Sequence, residues 1–212
     1  MKIILTSIDR KLLESWKRFC GDLNNVTIYH GSILDLECDA VVSPANSFGF
    51  MDGGIDALYT KHFGKDVQKK VQDLIKTKHH GELLVGSADI VATENQRIPF
   101  LIAAPTMRVP MILKDSVNPY LAARAVFLLI KYGNFSVEPQ LGKPIKEFVQ
   151  SVAFPGLGTG VGQVGLNTCA HQVRQAIEEV FLNQKNFPRT WSEAQQEHQK
   201  LYTDRIRDLQ YE

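Results

Sequence analysis

At 212 residues and 44% hydrophobic content, the chain is long enough for one sizeable core and too short for two ordinary domains. Its 24 basic and 23 acidic side chains leave a formal net charge of +1. That balance lacks the basic excess of a protein that grips duplex DNA by its phosphates, so an anionic ligand must be held locally and no sequence-specific nucleic-acid binding is expected. No apolar run approaches the ~20 residues of a membrane span. Cys20, Cys38 and Cys169 form an odd, scattered set with no CxxC or metal spacing, so free thiols in a soluble, cytoplasmic protein are expected.

The first apolar run, Lys2 to Ile8, reads as a buried strand. Asp9 then caps a helix that carries Leu12, Leu13, Trp16, Phe19 and Cys20 at helical spacing, ended by Gly21-Asp22. Val26 to His30 and Asp39 to Ser43 are the next strands, and the strand, helix and strand at the start make a βαβ unit. A glycine turn opens a helix near Ile55, and a polar helix follows over Lys65 to Lys78. Ala88 to Thr93 and Ile98 to Ala104 are strands. Pro105 to Pro119, with Met107, Met111 and Leu113, fits a pocket wall or a loop packed on its own core. Val117 to Tyr132 is a strong helix, Gly133 to Gln150 a long surface loop, Ser151 to Phe154 a strand, and Leu166 to Leu182 a helix. The alternation predicts a mixed, largely parallel sheet covered on both faces.

At the end of the chain, Thr190-x-x-Glu193 is a capping box. Trp191, Ala194, His198, Tyr202, Ile206 and Leu209 make one apolar stripe, which predicts a docked helix over Thr190 to Leu209. The expected division is an α/β domain over 1–184 and a C-terminal helix over 185–212, packed on the domain or on a partner.

Two glycine loops follow strands, at the edge where open α/β sheets bind ligands. The first runs Ser43-Pro44-Ala45-Asn46-Ser47-Phe48-Gly49-Phe50-Met51-Asp52-Gly53-Gly54-Ile55-Asp56 and enters a helix. Unpaired amides at that helix start favour an anion. The second is Phe154-Pro155-Gly156-Leu157-Gly158-Thr159-Gly160-Val161-Gly162, with glycine at every second position. It is neither a Walker A motif nor GxGxxG, and four alternating glycines point to a backbone nest around a phosphate. Neither loop contains a lysine or arginine, so backbone dipoles would carry the charge. Two nests on one sheet suit a diphosphate.

Other candidates are weaker. Cys169 and His171 are two apart on a helix and share no face. His79-His80 reads as a solvated loop, and Lys69, Lys70, Lys76 and Lys78 as a solvated helix face. Arg108 reads as an exposed or salt-bridged side chain, with a ligand phosphate as the other option. No metal site and no cofactor are expected, and the oligomeric state is left open.

The strand ending Asp-Ala-Val-Val-Ser-Pro-Ala-Asn, followed by Gly-Gly-Ile-Asp, resembles the first ligand loop of macro domains. Ala-Phe-Pro-Gly-Leu-Gly-Thr-Gly resembles their second, and the similarity spans roughly Val26 to Leu182. The resemblance implies a three-layer α/β/α sandwich that binds ADP-ribose or an ADP-ribosylated macromolecule. It also implies an activity, removal of ADP-ribosyl groups or deacetylation of O-acetyl-ADP-ribose, with a non-catalytic reader as the alternative. By the same resemblance Asn46, beside Ala45, binds the distal ribose. Gly53, Gly54 and Ile55 hold one phosphate. Gly158, Thr159, Gly160 and Val161, flanked by Gly156 and Gly162, hold the other. Asp56, ten residues after Asn46, matches the acidic position of the hydrolase branch. The chain departs from the family where Gly31-Ser32-Ile33 replaces Gly-Asp-Ile at the adenine, leaving Ser32 and Ile33 there. It departs again where Met51-Asp52 shortens the glycine run, where a strand and helix are added at the start, and where a polar helix replaces the last strand.

Overall fold

The computed structural model describes residues 1–44, 46–184 and 187–202. Six strands form one sheet: β1 (Lys2–Ser7), β2 (Val26–His30), β3 (Ala40–Ser43), β4 (Asp89–Ala92), β5 (Phe100–Ala103) and β6 (Ser151–Phe154). Their order across the sheet is β2-β1-β6-β3-β5-β4. All neighbours are parallel except β4, which runs antiparallel to β5. Every residue of β3 and β5 is buried, as expected of parallel strands covered on both faces.

The helices are α1 (Arg10–Cys20), α2 (Gly54–Phe63), α3 (Asp66–Lys78), α4 (Asn118–Tyr132), α5 (Leu166–Val180) and α6 (Trp191–Gln199). Alternation along each strand sorts the two cores. Ile3, Leu5, Val42, Ile102, Val152 and Phe154 pack with Trp16 of α1, Phe127 of α4 and Val173 of α5. Ile4, Val41, Leu101 and Ala153 point the other way, onto Tyr59 of α2 and Val67, Val71 and Ile75 of α3. The result is the three-layer sandwich, with side chains of period two feeding opposite faces. Asp9 caps α1 as expected, its Oδ1 accepting from the Lys11 amide at 2.9 Å. Asp39 fastens the start of β3 to that of β6, its Oδ2 accepting from the Gln150 amide at 2.9 Å and from the Ser151 amide and hydroxyl at 2.8 Å.

Three expectations need correction. The connection after α4 is not a surface loop. Phe135, Ile145 and Val149 are buried in the core with α4. Phe135 also packs between Phe100, tilted to it, and Phe148, edge-on to it, with ring centroids 5.2 and 5.3 Å away. Its prolines and glycines shape the path, while its spaced apolar residues supply the burial. The histidine pair and the end of the lysine-rich helix are not simply solvated either. Asp89 is wholly buried, and its carboxylate takes Lys78 Nζ at 2.8 Å and His79 Nε2 at 2.9 Å. Ser136 adds a hydrogen bond at 3.3 Å, so this buried anion ties α3, β4 and the long connection together.

The third correction concerns the C-terminal stripe. Thr190 caps α6, its Oγ1 accepting from the Glu193 amide at 3.1 Å. Yet no residue of α6 is buried, and Trp191 is 72% exposed. The segment is anchored at its far end instead. Leu201 enters the core, Lys200 offers its carbonyl to His171, and the Tyr202 hydroxyl bonds the Asp115 carbonyl at 3.2 Å. Ile206 and Leu209 lie outside the described residues.

Candidate functional site

Beyond the carboxyl ends of β1, β2, β3 and β6, the connecting loops enclose a cleft of about 560 Å³. The site begins with β3, which delivers Ser43 to its end and releases the chain into the first loop. Asn46 shapes that loop from within. Its Oδ1 accepts from the Phe48 amide at 3.1 Å and the Phe50 amide at 3.2 Å, and its Nδ2 donates to the Phe50 carbonyl at 2.8 Å. One Nδ2 hydrogen is left to face the cleft. Ala45 lies outside the described residues.

The loop ends where α2 begins. Gly53 stands at the N-cap with no side-chain cap, and the amides of Gly53, Gly54, Ile55 and Asp56 bond to no described residue. Gly54 has φ +54°, a left-handed backbone that glycine adopts without strain. A Cβ added at Gly53 or Gly54 would meet nothing within 4 Å, so both backbones stand open to the cleft. These are the four orphan donors of a helix start, held together at the positive end of its dipole.

The second loop leaves β6, the neighbour of β3, so its amides face the same cleft from the adjacent strand. Those of Gly158, Thr159, Gly160, Val161 and Gly162 bond to no described residue. The four glycines do not share one reason. A Cβ at Gly156 would clash with Thr159 and stand 2.8 Å from Leu12 Cδ2, and one at Gly162 would stand 2.5 Å from the Gly158 carbonyl. Gly158 has φ +67°. Only Gly160 has an ordinary backbone and open space. The alternation therefore mixes packing, turn and open space beside the cleft, where the sequence pattern alone suggests four equivalent nest positions. Beneath the loop, Cys169 Sγ accepts from the Leu157 amide at 3.4 Å; burial pushes this thiol up to about 12, which keeps it a thiol. His171 is turned away to Lys200.

The Pro-rich segment 105–119 is both a wall and a core element. Thr106 bonds the Pro44 carbonyl through its hydroxyl at 2.8 Å, and the Ser47 amide lies 3.2 Å from the Met107 carbonyl. Further on, the Leu113 amide donates to the Gly162 carbonyl at 2.7 Å while its side chain is buried. Met107 and Pro110 face the cleft, so this one segment braces both glycine loops. Arg108 is salt-bridged to Glu82 at 2.7 Å and sits 5.1 Å over the Phe48 ring.

Asp56 lies in the first turn of α2 and is 5% exposed. The Ser43 hydroxyl donates to its Oδ1 at 2.5 Å. Burial raises this carboxyl from its ordinary 3.8 to about 7, against the smaller downward pull of the Ser43 hydrogen bond. At the opposite end of the cleft, Ser32 accepts from the Leu34 amide at 3.2 Å and begins a 3-10 turn in which Ile33 is buried.

Sequence reasoning missed two groups. Thr6, Ser7, Ile8 and Asp9 line the cleft because β1 stands between β2 and β6. The rule that ligands gather at carboxyl ends, applied to the added strand, would have found them. Ser43 was read only as a strand terminus; a hydroxyl closing a buried apolar strand is the signal that it has a partner. Among the described residues, no group of three histidine, cysteine or acidic side chains is placed to hold a metal ion.

The comparisons with known proteins agree with this architecture. The family model described as Macro domain matches residues 42–173. An uncharacterised protein of Aquifex aeolicus is 28% identical over 156 residues, covering 74% of this chain and 81% of its own. Another, from Aeropyrum pernix, is 26% identical over 146 residues, covering 69% and 67%. The macrodomain of Mycobacterium tuberculosis DarG superposes with TM-score 0.54 at 19% identity, over 72% of this chain and 87% of that one. The Oceanobacillus iheyensis macrodomain with ADP gives 0.58 at 20% identity, over 73% and 75%. The Trypanosoma brucei macrodomain in complex with ADP-ribose gives 0.51 at 18%, over 71% and 56%. At these identities the structures share the fold. With a family match running from the end of β3 through both glycine loops into α5, this chain belongs to the Macro domain family.

Proposed function

We propose that the cleft binds ADP-ribose, free or attached to a macromolecule, and that the protein hydrolyses ester-linked ADP-ribosyl groups. The observation that carries binding is the pair of unpaired amide sets, Gly53 to Asp56 and Gly158 to Gly162, on adjacent strands and facing one cleft. Each can wrap one phosphate, and together they match a diphosphate. Family membership and the ligands named for the Oceanobacillus and Trypanosoma structures support the same ligand.

Hydrolysis is supported by Asp56. A carboxyl pushed up to about 7 is a competent base near neutrality, where part of it is ionised and the ionised form takes up a proton more readily than an ordinary carboxylate. In this reading Asp56 takes a proton from water. The water oxygen bonds to the anomeric carbon, the carbon–oxygen bond to the acyl group breaks, and a carboxylate leaves with the bonding pair. A reader that binds without cleaving is favoured by one observation, the near-complete burial of Asp56 against Ser43, which a purely structural pin would also show.

Calorimetric titration with ADP-ribose tests binding; no heat at millimolar ligand would overturn it. Release of ADP-ribose from an ester-linked or O-acetyl substrate tests the enzyme. Asp56→Ala is expected to lower turnover by about 10²–10⁴-fold while ADP-ribose still binds. A wild type that binds tightly and releases nothing is a reader.

A further inference from the structure

We infer that the cleft selects ADP-ribosyl groups whose distal ribose is joined to an uncharged or cationic group, and rejects those whose distal ribose carries a further phosphate, with Asp52 setting this preference. The inference rests on the ADP-ribose reading above and names the substrate class of that site.

The sheet gives the cleft a direction. Ser32 and Ile33 mark its β2 end, the second glycine loop its middle, and Asn46 with the first loop its β3 end. With the diphosphate on the two amide sets and the base beside Ser32, the distal ribose and whatever it carries fall at the β3 end. A phosphate there would need several donors, and most of the backbone amides of the loop are already spent. The Ser47 amide is spent on the Met107 and Arg108 carbonyls, and the Gly49 amide on the Asn46 carbonyl. The Phe48 and Phe50 amides are spent on Asn46 Oδ1, and the Met51 amide on Gln68 Oε1 at 2.8 Å. Cations are missing too. Among the described residues, no lysine, arginine or histidine lines the cleft; its charged side chains are Asp9, Asp52 and Asp56. Arg108, on the adjoining wall segment, is held by Glu82.

Asp52 is the carboxylate that an incoming group would meet. It is exposed, it precedes the helix start directly, and it pairs with no described residue. Asp56 by contrast is buried and occupied by Ser43. The amides of Gly53 to Asp56 offset the carboxylate field where the diphosphate sits, but nothing offsets it beyond them. A phosphate monoester there faces a like charge across water, which costs on the order of tenfold in affinity for a dianion a few ångströms away. An acyl, amide or guanidinium attachment suffers no such repulsion.

The test is the ratio of dissociation constants for ADP-ribose and ADP-ribose-1″-phosphate, measured by calorimetry on the wild type, Asp52→Asn and Asp52→Lys. Both substitutions are at an exposed position, and circular dichroism checks the fold. The wild type is expected to bind the phosphorylated ligand at least about tenfold more weakly. The ratio should shrink in Asp52→Asn and approach one or invert in Asp52→Lys. Equal or tighter wild-type binding of the phosphorylated ligand, with ADP-ribose bound normally, would overturn the selectivity. An unchanged ratio in both variants would overturn the assignment to Asp52. Failure of ADP-ribose itself to bind would instead overturn the function proposed above, and this inference with it.

Discussion

Gly160 and Asp56 make the clearest contrast between two residues of one cleft. Gly160 has open space where a side chain would go, so Gly160→Glu places a carboxylate in the cleft without disturbing the fold. We expect its affinity for ADP-ribose to drop by at least ~2 kcal/mol with an unchanged circular dichroism spectrum. Unchanged affinity would show that the second loop does not hold a phosphate. Asp56 is a buried acid whose folded value, about 7, lies above its ordinary 3.8. Between those pH values the folded state binds more protons than the unfolded one. Its ionisation therefore costs stability progressively as pH rises from about 4 to about 7, and the cost is constant above. Asp56→Asn keeps an oxygen for Ser43 and removes the charge. It should stabilise the protein more at pH 8 than at pH 5, by up to about 4 kcal/mol at the higher pH, at about 1.4 kcal/mol per pH unit. Urea unfolding at the two pH values reads this directly, and a variant equally stabilised at both would remove the argument that Asp56 is a perturbed base.

Among the elements, α6 shows how a good local pattern can mislead. Its capping box forms, but its tryptophan lies in solvent, because a helical stripe states that a face is apolar and not that a surface is waiting for it. The anchor lies just past the end of the helix, where Leu201 is 6% exposed and Tyr202 reaches Asp115. Leu201→Ala should cost about 2 kcal/mol and lower Tm by roughly 4–8 °C, while Trp191→Ala should stay within about 0.5 kcal/mol. Differential scanning fluorimetry of both variants decides it; equal shifts would mean that the helix face, not its end, is docked. The connection after α4 errs in the opposite direction. Proline and glycine suggested solvent, yet Phe135, Ile145 and Val149 bury as fully as strand residues, since a chain without regular structure can still present apolar side chains inward.

The whole molecule carries a net charge of +1, and its cleft holds no cationic side chain among the described residues. In the proposed function, anion binding rests on backbone dipoles a few ångströms from the ligand, which salt screens far less than it screens exposed charges a Debye length away. Raising sodium chloride from 0.05 to 0.5 M is therefore expected to change the ADP-ribose affinity by less than about threefold. A loss above tenfold, measured by calorimetry at the two salt concentrations, would mean that lysines or arginines outside the cleft carry the binding.

The sequence by itself determined the inventory of elements, because each strand and helix announces itself by local periodicity and by its own cap or glycine. It also located both glycine loops that border the cleft: a glycine turn at a strand end is a local chemical fact, and Asn46, Gly53, Gly54 and Gly158 to Gly162 are contiguous enough to be read together. Tertiary structure alone decided that the added β1 stands between β2 and β6, since parallel pairing is non-local and either flank of the sheet satisfies an apolar strand. That placement brings Thr6 to Asp9 to the cleft. It also decided that a side chain at Gly156 or Gly162 would run into Leu12, Thr159 or the Gly158 carbonyl, and that Asp56 is a carboxyl near 7 rather than an ordinary first-turn acid. Close packing and desolvation depend on atoms that approach from distant parts of the chain, and no local pattern records their arrival.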